Sequence, residues 1–170
     1  MKYNRIIIVG SPGSGKSYLA KKIAENTGYP LIHLDNEFWN PGWIETPRDE
    51  WIEKQSKIIS DEKWIIDGNY NDTLELRFNA CDAVVFLDIN RIACILNAIK
   101  RHGKKRTDLP DYCLEKFDKD FLDFIIFIWK FPSTKKQKIL ALHRKYDKKP
   151  FIVIKSRNEI NKLLNVINMD

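Results

Sequence analysis

Four apolar residues in succession, Ile6-Ile7-Ile8-Val9, have no polar position between them. Such a run predicts a strand, here Arg5 to Val9, covered on both faces rather than one half open to water. Similar short runs at Leu31 to Leu34, Lys63 to Ile66, Ala83 to Leu87 and Phe151 to Ile154 predict four more strands. Between them the apolar spacing becomes helical. Leu19, Ala20, Ile23 and Ala24 share one helix face that stops at Gly28. Thr46 as N-cap and Pro47 in the first turn open a second helix carrying Trp51, Ile52, Gln55, Ile58 and Ile59. Asn90 caps a third, running to about Lys100 with Ile92, Ile95, Leu96 and Ile99 inward. Phe117, Phe121, Phe124, Ile125 and Ile128 mark a further helix, and Ile139 to Leu142 lie in one more. A capping box of Ser156 and Glu159 precedes the stripe Ile160, Leu163, Leu164 and Ile167. This alternation predicts an α/β fold, a five-stranded parallel sheet flanked by helices on both faces. Functional loops of such a sheet gather at the carboxyl ends of the strands, where Asp35, Asp67, Asp88 and Ser156 fall.

The first strand runs into Gly10-Ser11-Pro12-Gly13-Ser14-Gly15-Lys16-Ser17, which spells G-x-x-x-x-G-K-S and precedes the first helix. Strand, glycine-rich turn and helix in that order make a phosphate-binding P-loop. Its glycines let successive N–H groups turn inward as an anion cradle, and the helix adds its positive end. Lys16 is expected to reach the β- and γ-phosphates of a nucleoside triphosphate, and the Ser17 hydroxyl to ligate Mg²⁺. A guanine-specific GTPase is excluded by the lack of D-x-x-G and N-K-x-D motifs. The one Asn-Lys pair, Asn161-Lys162, lies in a predicted helix and is followed by two leucines.

A length of 170 residues suits a single domain spanning 1–170. The net charge of +6 favours polyanionic partners but does not separate ATP from nucleic acid. Cys81, Cys94 and Cys113 have neither disulfide-framework nor zinc spacing, which fits reduced thiols in the cytoplasm. The four-residue apolar run at the start is a first strand rather than a signal peptide. The longest apolar stretch, Phe121 to Phe131, contains Asp123 and Lys130 and is too short to span a bilayer, so no membrane partner is expected.

The stretch Lys63-Trp64-Ile65-Ile66-Asp67-Gly68 looks like the apolar strand plus Asp-Gly of small-molecule and nucleoside monophosphate kinases. An aspartate there lies beside the phosphate loop and can hold Mg²⁺ through water. A more specific likeness rests on His33-Leu34-Asp35, on Phe38-Trp39-Asn40-Pro41-Gly42-Trp43 and on Trp64 to Tyr70. Together these resemble the adenylate kinase-related DNA topology modulation proteins, along nearly the whole chain through Arg101 to Arg106 and Phe127 to Trp129. The resemblance implies a nucleoside monophosphate kinase-like fold that binds ATP.

It also implies roles for individual residues. Asp35 would orient or deprotonate the acceptor hydroxyl or help hold the metal, whereas His33 reads as a satisfied sheet histidine. Trp39 and Trp43 flank a turn over the acceptor site, where they either stack on a planar substrate or pack beneath the loop; Trp51 and Trp64 read as core. Arg101 and Arg106 lie where related proteins carry a lid, here a short one near 101–110, with Arg91 a weaker candidate. Asn69-Tyr70-Asn71 replaces the Phe-Pro-Arg of adenylate kinases, so a monophosphate acceptor loses its arginine unless Arg77 substitutes. Lys155-Ser156-Arg157 lies where related kinases hold adenine. The expectation is an ATP- and Mg²⁺-dependent phosphotransferase whose acceptor is an unidentified small molecule, nucleoside or nucleotide. The alternative is a nucleotide-binding, DNA-associated regulator using the basic stretch Lys135 to Lys149.

Overall fold

The computed structural model describes residues 2–42, 44–101 and 119–167. Trp43, Arg106, Cys113, Phe117 and the expected lid from 102 to 110 lie outside the described residues. In chain order the elements are β1 (Arg5–Gly10), α1 (Lys16–Thr27), β2 (Leu31–His33), α2 (Leu34–Phe38), β3 (Trp39–Asn40), β4 (Ile44–Glu45) and α3 (Arg48–Ile59). There follow β5 (Trp64–Asp67), α4 (Leu74–Ala80), β6 (Ala83–Leu87), α5 (Arg91–Arg101), α6 (Lys119–Lys130), α7 (Lys135–Lys145), β7 (Phe151–Ile154) and α8 (Arg157–Ile167).

The main sheet has five strands in the order β2-β5-β1-β6-β7. Every neighbouring pair in it is parallel. β1 shows why its run is wholly apolar. Ile6 and Ile8 enter one core with Leu19, Ala20 and Ile23 of α1 and Ile160 and Leu164 of α8. Ile7 and Val9 enter the other with Trp51 of α3, Leu74 and Phe78 of α4 and Ile139 of α7. Side chains alternate across the sheet and helices cover both faces, so Ile6 to Val9 are all buried. β3 and β4 form a separate antiparallel hairpin around the Asn40-Pro41-Gly42 turn.

Three local expectations are corrected. β2 stops at His33, because Leu34 turns into the core and opens α2; Asp35 therefore sits in the first turn of a short helix. Thr46 is not the cap of α3, which starts at Arg48 behind Pro47; its hydroxyl donates to the Phe38 carbonyl at 2.6 Å and ties the hairpin to α2. On α5 the Asn90 cap is present, Ile92 N–H donating to Asn90 Oδ1 at 2.8 Å. Its inward face, however, is Cys94 and Ala98 with Ile95, while Ile92, Leu96 and Ile99 are exposed. Small side chains face inward there because α5 lies close against the phosphate loop. The Ser156–Glu159 capping box and the Gly28 stop form as expected. Among the described residues no helix is long and apolar enough to cross a membrane.

Candidate active site

The phosphate loop turns between the end of β1 and the start of α1, with Gly13 and Gly15 in left-handed conformations at φ 76° and 97°. Space is as restrictive as conformation. A Cβ on Gly13 would lie 2.2 Å from the Cys94 carbonyl oxygen of α5. Neighbouring side chains fasten the loop from both sides. Gly10 N–H donates to Asn69 Oδ1 at 3.1 Å, and Asn69 Nδ2 returns a bond to the Gly10 carbonyl at 2.9 Å. Asn97 Nδ2 donates to the Gly13 carbonyl at 3.0 Å. Gly13→Ala is therefore expected to push α5 off the loop, lowering stability by about 2 kcal/mol from backbone strain and overpacking. Chemical denaturation, with nucleotide affinity measured in parallel, checks this.

Lys16 donates to the Ser11 carbonyl at 3.2 Å across the loop. Its pKa is held below the usual lysine value, first by burial and further by the charge of Arg101; Asp67 and Asp35 oppose the shift. The two carboxylates, Lys16 and Arg101 thus feel one another at one end of the sheet, as the motif order leads one to expect. Arg101 closes α5 with its guanidinium over the Phe124 ring at 5.8 Å.

Asp67 ends β5 and is 5% exposed. Its Oδ2 pairs with His33 Nδ1 at 3.1 Å, while its Oδ1 is buried with no hydrogen-bond partner. A buried carboxylate oxygen left unmatched beside the phosphate loop is costly unless a cation or bound water completes it. That orphaned oxygen and the Ser17 hydroxyl fit Mg²⁺, a hard ion that takes few protein oxygens and keeps the rest of its shell for phosphate and water. His33 is satisfied as expected, but by the site's own aspartate. Asp35 accepts a hydrogen bond from the Tyr70 hydroxyl at 2.8 Å.

Arg77 is corrected. It is wholly buried, with its guanidinium donating to Gln55 Oε1 at 2.8 Å and to the carbonyls of Asn69 and Tyr70. It shapes the loop after β5 and offers no surface to a substrate. Trp39 packs edge-on against Phe38, ring centroids 5.0 Å apart, beside a cluster that includes Trp51 and Tyr70. Arg91 lies over the Trp129 ring at 3.8 Å.

Part of the basic stretch is engaged within the fold. Lys136 pairs with Asp88 at 2.7 Å, Lys145 pairs with Glu75, and Lys149 donates to the Asn79 and Cys81 carbonyls. These lysines anchor α7 and the following turn to α4 and to the end of β6. The site residues missed by sequence reasoning are Asn69, Tyr70 and Asn97. The one available signal was the departure from Phe-Pro-Arg after Asp67-Gly68.

The family model for ATPases associated with various cellular activities (AAA) matches residues 6–88. No curated protein matches the chain in sequence. Similar solved structures include shikimate kinase from Acinetobacter baumannii in complex with shikimate, 14% identical, with 98% of this chain and 93% of that chain covered and a TM-score of 0.59. Shikimate kinase from Bacteroides thetaiotaomicron is 18% identical over 98% of this chain and 97% of that one, with a TM-score of 0.55. A gluconokinase from Sinorhizobium meliloti 1021 is 15% identical over 98% and 90%, with a TM-score of 0.53. The parallel sheet, its flanking helices and the loop between β1 and α1 give this chain the P-loop NTPase fold, in a form similar to that of small-molecule kinases.

Proposed function

We propose that this protein is an ATP- and Mg²⁺-dependent phosphotransferase acting on a small hydroxylated molecule. The observation that carries the reading is the convergence of two carboxylates, Asp67 with an orphaned oxygen and Asp35, on the lysine of the phosphate loop. The kinase folds of the structural neighbours support it, as does the resemblance to the adenylate kinase-related topology modulation group.

The loop amides of Gly10 to Ser17 cradle the triphosphate, and Lys16 neutralises the phosphate oxygens. Ser17, with Asp67 through water, would hold Mg²⁺, which when bound neutralises charge on the β- and γ-phosphates. Asp35 aligns the acceptor hydroxyl and takes its proton as the new oxygen–phosphorus bond forms. The bond to the β–γ bridging oxygen breaks and ADP leaves with that electron pair. Arg101 adds positive charge where it builds on the moving phosphoryl group, and Arg106 is proposed to close from beyond the described residues. Trp39 and Trp43 are proposed to bound the acceptor pocket. With Arg77 committed inside the fold, the acceptor needs no terminal phosphate. A nucleoside, a sugar acid or a cyclic polyol such as shikimate fits better than a nucleoside monophosphate.

Transfer of label from γ-labelled ATP to a panel of nucleosides, sugar acids, shikimate and nucleoside monophosphates tests the reading. Asp35→Asn is expected to lower transfer to the preferred acceptor about 10²- to 10³-fold while leaving the KM for ATP within about twofold. Undiminished transfer by that variant contradicts the assignment.

A further inference from the structure

Tyr70 is the one non-glycine residue with positive φ, 35°, among the described residues. For a bulky aromatic residue that conformation is strained and persists only where the surroundings fix it. Here they fix it several times over. Its carbonyl accepts from Arg77 Nη2 at 3.2 Å, from Thr73 N–H at 3.1 Å and from the Thr73 hydroxyl at 3.3 Å. Arg77 also donates to the carbonyl of Asn69, one residue earlier. The ring is held between Phe38 and Trp51, with centroids 4.6 and 5.2 Å away. A side chain so constrained carries its hydroxyl to one place, 2.8 Å from Asp35 Oδ1.

We infer that Tyr70 is the positioning residue of the acceptor carboxylate: its hydroxyl holds one oxygen of Asp35 so that the other is presented to the acceptor hydroxyl. This rests on the phosphotransferase reading given above. The bond joins the first turn of α2 to the loop after β5, two segments that leave neighbouring parallel strands side by side. Among the described residues Oδ2 of Asp35 accepts no hydrogen bond, which leaves it for the incoming proton. Burial, and then the negative charge of Asp35, drive the tyrosine pKa far upward, with the nearby Trp39 and Arg77 offsetting part of the shift. Tyr70 therefore keeps its proton and donates it to Asp35, while its oxygen accepts from the Trp39 indole N–H. The same loop fastens Asn69 to Gly10 and follows directly on Asp67 at the end of β5, so one short segment sets the register of donor and acceptor groups together.

Tyr70→Phe retains the ring and its packing and removes only the hydroxyl. With Mg·ATP and the panel member that takes most label, kcat is expected to fall about 10- to 100-fold, the cost typical of losing a supporting hydrogen bond to a reacting group. The KM for ATP should stay within about twofold, and the same substitution in an Asp35→Asn background should cost less than about twofold, since both remove one function. The Hα–Hβ scalar couplings of Asp35, measured by NMR, should report a single rotamer in the wild type and averaging in Tyr70→Phe. Wild-type kcat in the variant, additive losses in the double variant, or unchanged couplings would each overturn the inference. Absence of transfer by the wild type to every acceptor contradicts the phosphotransferase reading instead, and the couplings then still decide whether Tyr70 holds the carboxylate.

Discussion

Lys16→Met is expected to abolish nucleotide turnover and at the same time to make the ligand-free protein more stable. The rate loss, about 10³-fold, follows from removing a preorganised cation from the transferring phosphates. The gain in stability follows from the depressed lysine pKa, whose leading cause is burial. A lysine held below its unfolded value binds its proton less tightly in the folded chain. The folded state is penalised in full below the folded pKa, and the penalty fades as pH rises from there toward the unfolded value near 10.5. At neutral pH the methionine variant should exceed the wild type by about 1 kcal/mol, a size common for substitutions that relieve a functional site. The difference should shrink as pH rises toward 10. Urea denaturation at several pH values, alongside turnover assays, checks both halves. A variant less stable than the wild type at neutral pH would contradict the electrostatic account of the loop.

Replacement of Arg77 by alanine is expected to cost about 3 kcal/mol or more. The side chain is fully enclosed, and among the described residues its guanidinium donates to no carboxylate but to Gln55 Oε1, the Thr73 hydroxyl and the carbonyls of Asn69 and Tyr70. Burial lowers its pKa, and the neighbouring Tyr70 raises it in part. Hydrogen bonds to a charged donor are worth more than neutral ones, and losing this donor strands several buried acceptors at once. The loop that bears Asn69 and Tyr70 would lose its anchor, so the phosphate-loop and Asp35 contacts should weaken with it. Arg77→Lys should rescue little, since an ammonium lacks the planar fork that reaches both backbone and side-chain acceptors. Equilibrium denaturation measures the loss. A change below about 1 kcal/mol would mean that the loop is held by its packing alone.

The contrast between Lys16 and Arg77 shows what could be read from the chain. The loop from Gly10 to Ser17 was legible because its function depends on residue type at fixed spacing, and its flanking strand and helix could be recognised from periodicity. The five strands were legible for the same reason: each carries a short apolar run, buried most completely in the central strands β5, β1 and β6. Asp67 was legible because it ends such a run. Arg77 was misread because an arginine on a helix looks the same in sequence whether it faces a substrate or a buried loop; only the positions of Gln55, Asn69 and Tyr70 decide. Tyr70 and Asn69 were missed because they act through partners 35 and 59 residues away, which local spacing does not encode. The inward face of α5 was misassigned by hydrophobicity alone. Close approach to Gly13 selects the small side chains Cys94 and Ala98 and turns the larger ones outward.

The central claim is that the amides between β1 and α1, with Lys16, grip a nucleoside triphosphate. Equilibrium dialysis of the folded wild type against radiolabelled ATP and Mg²⁺, with Lys16→Met in a parallel chamber, tests it most directly. The account predicts saturable binding near one ATP per chain for the wild type and at least a tenfold weaker association for the variant. Equal retention by both proteins, or none by the wild type, would contradict it.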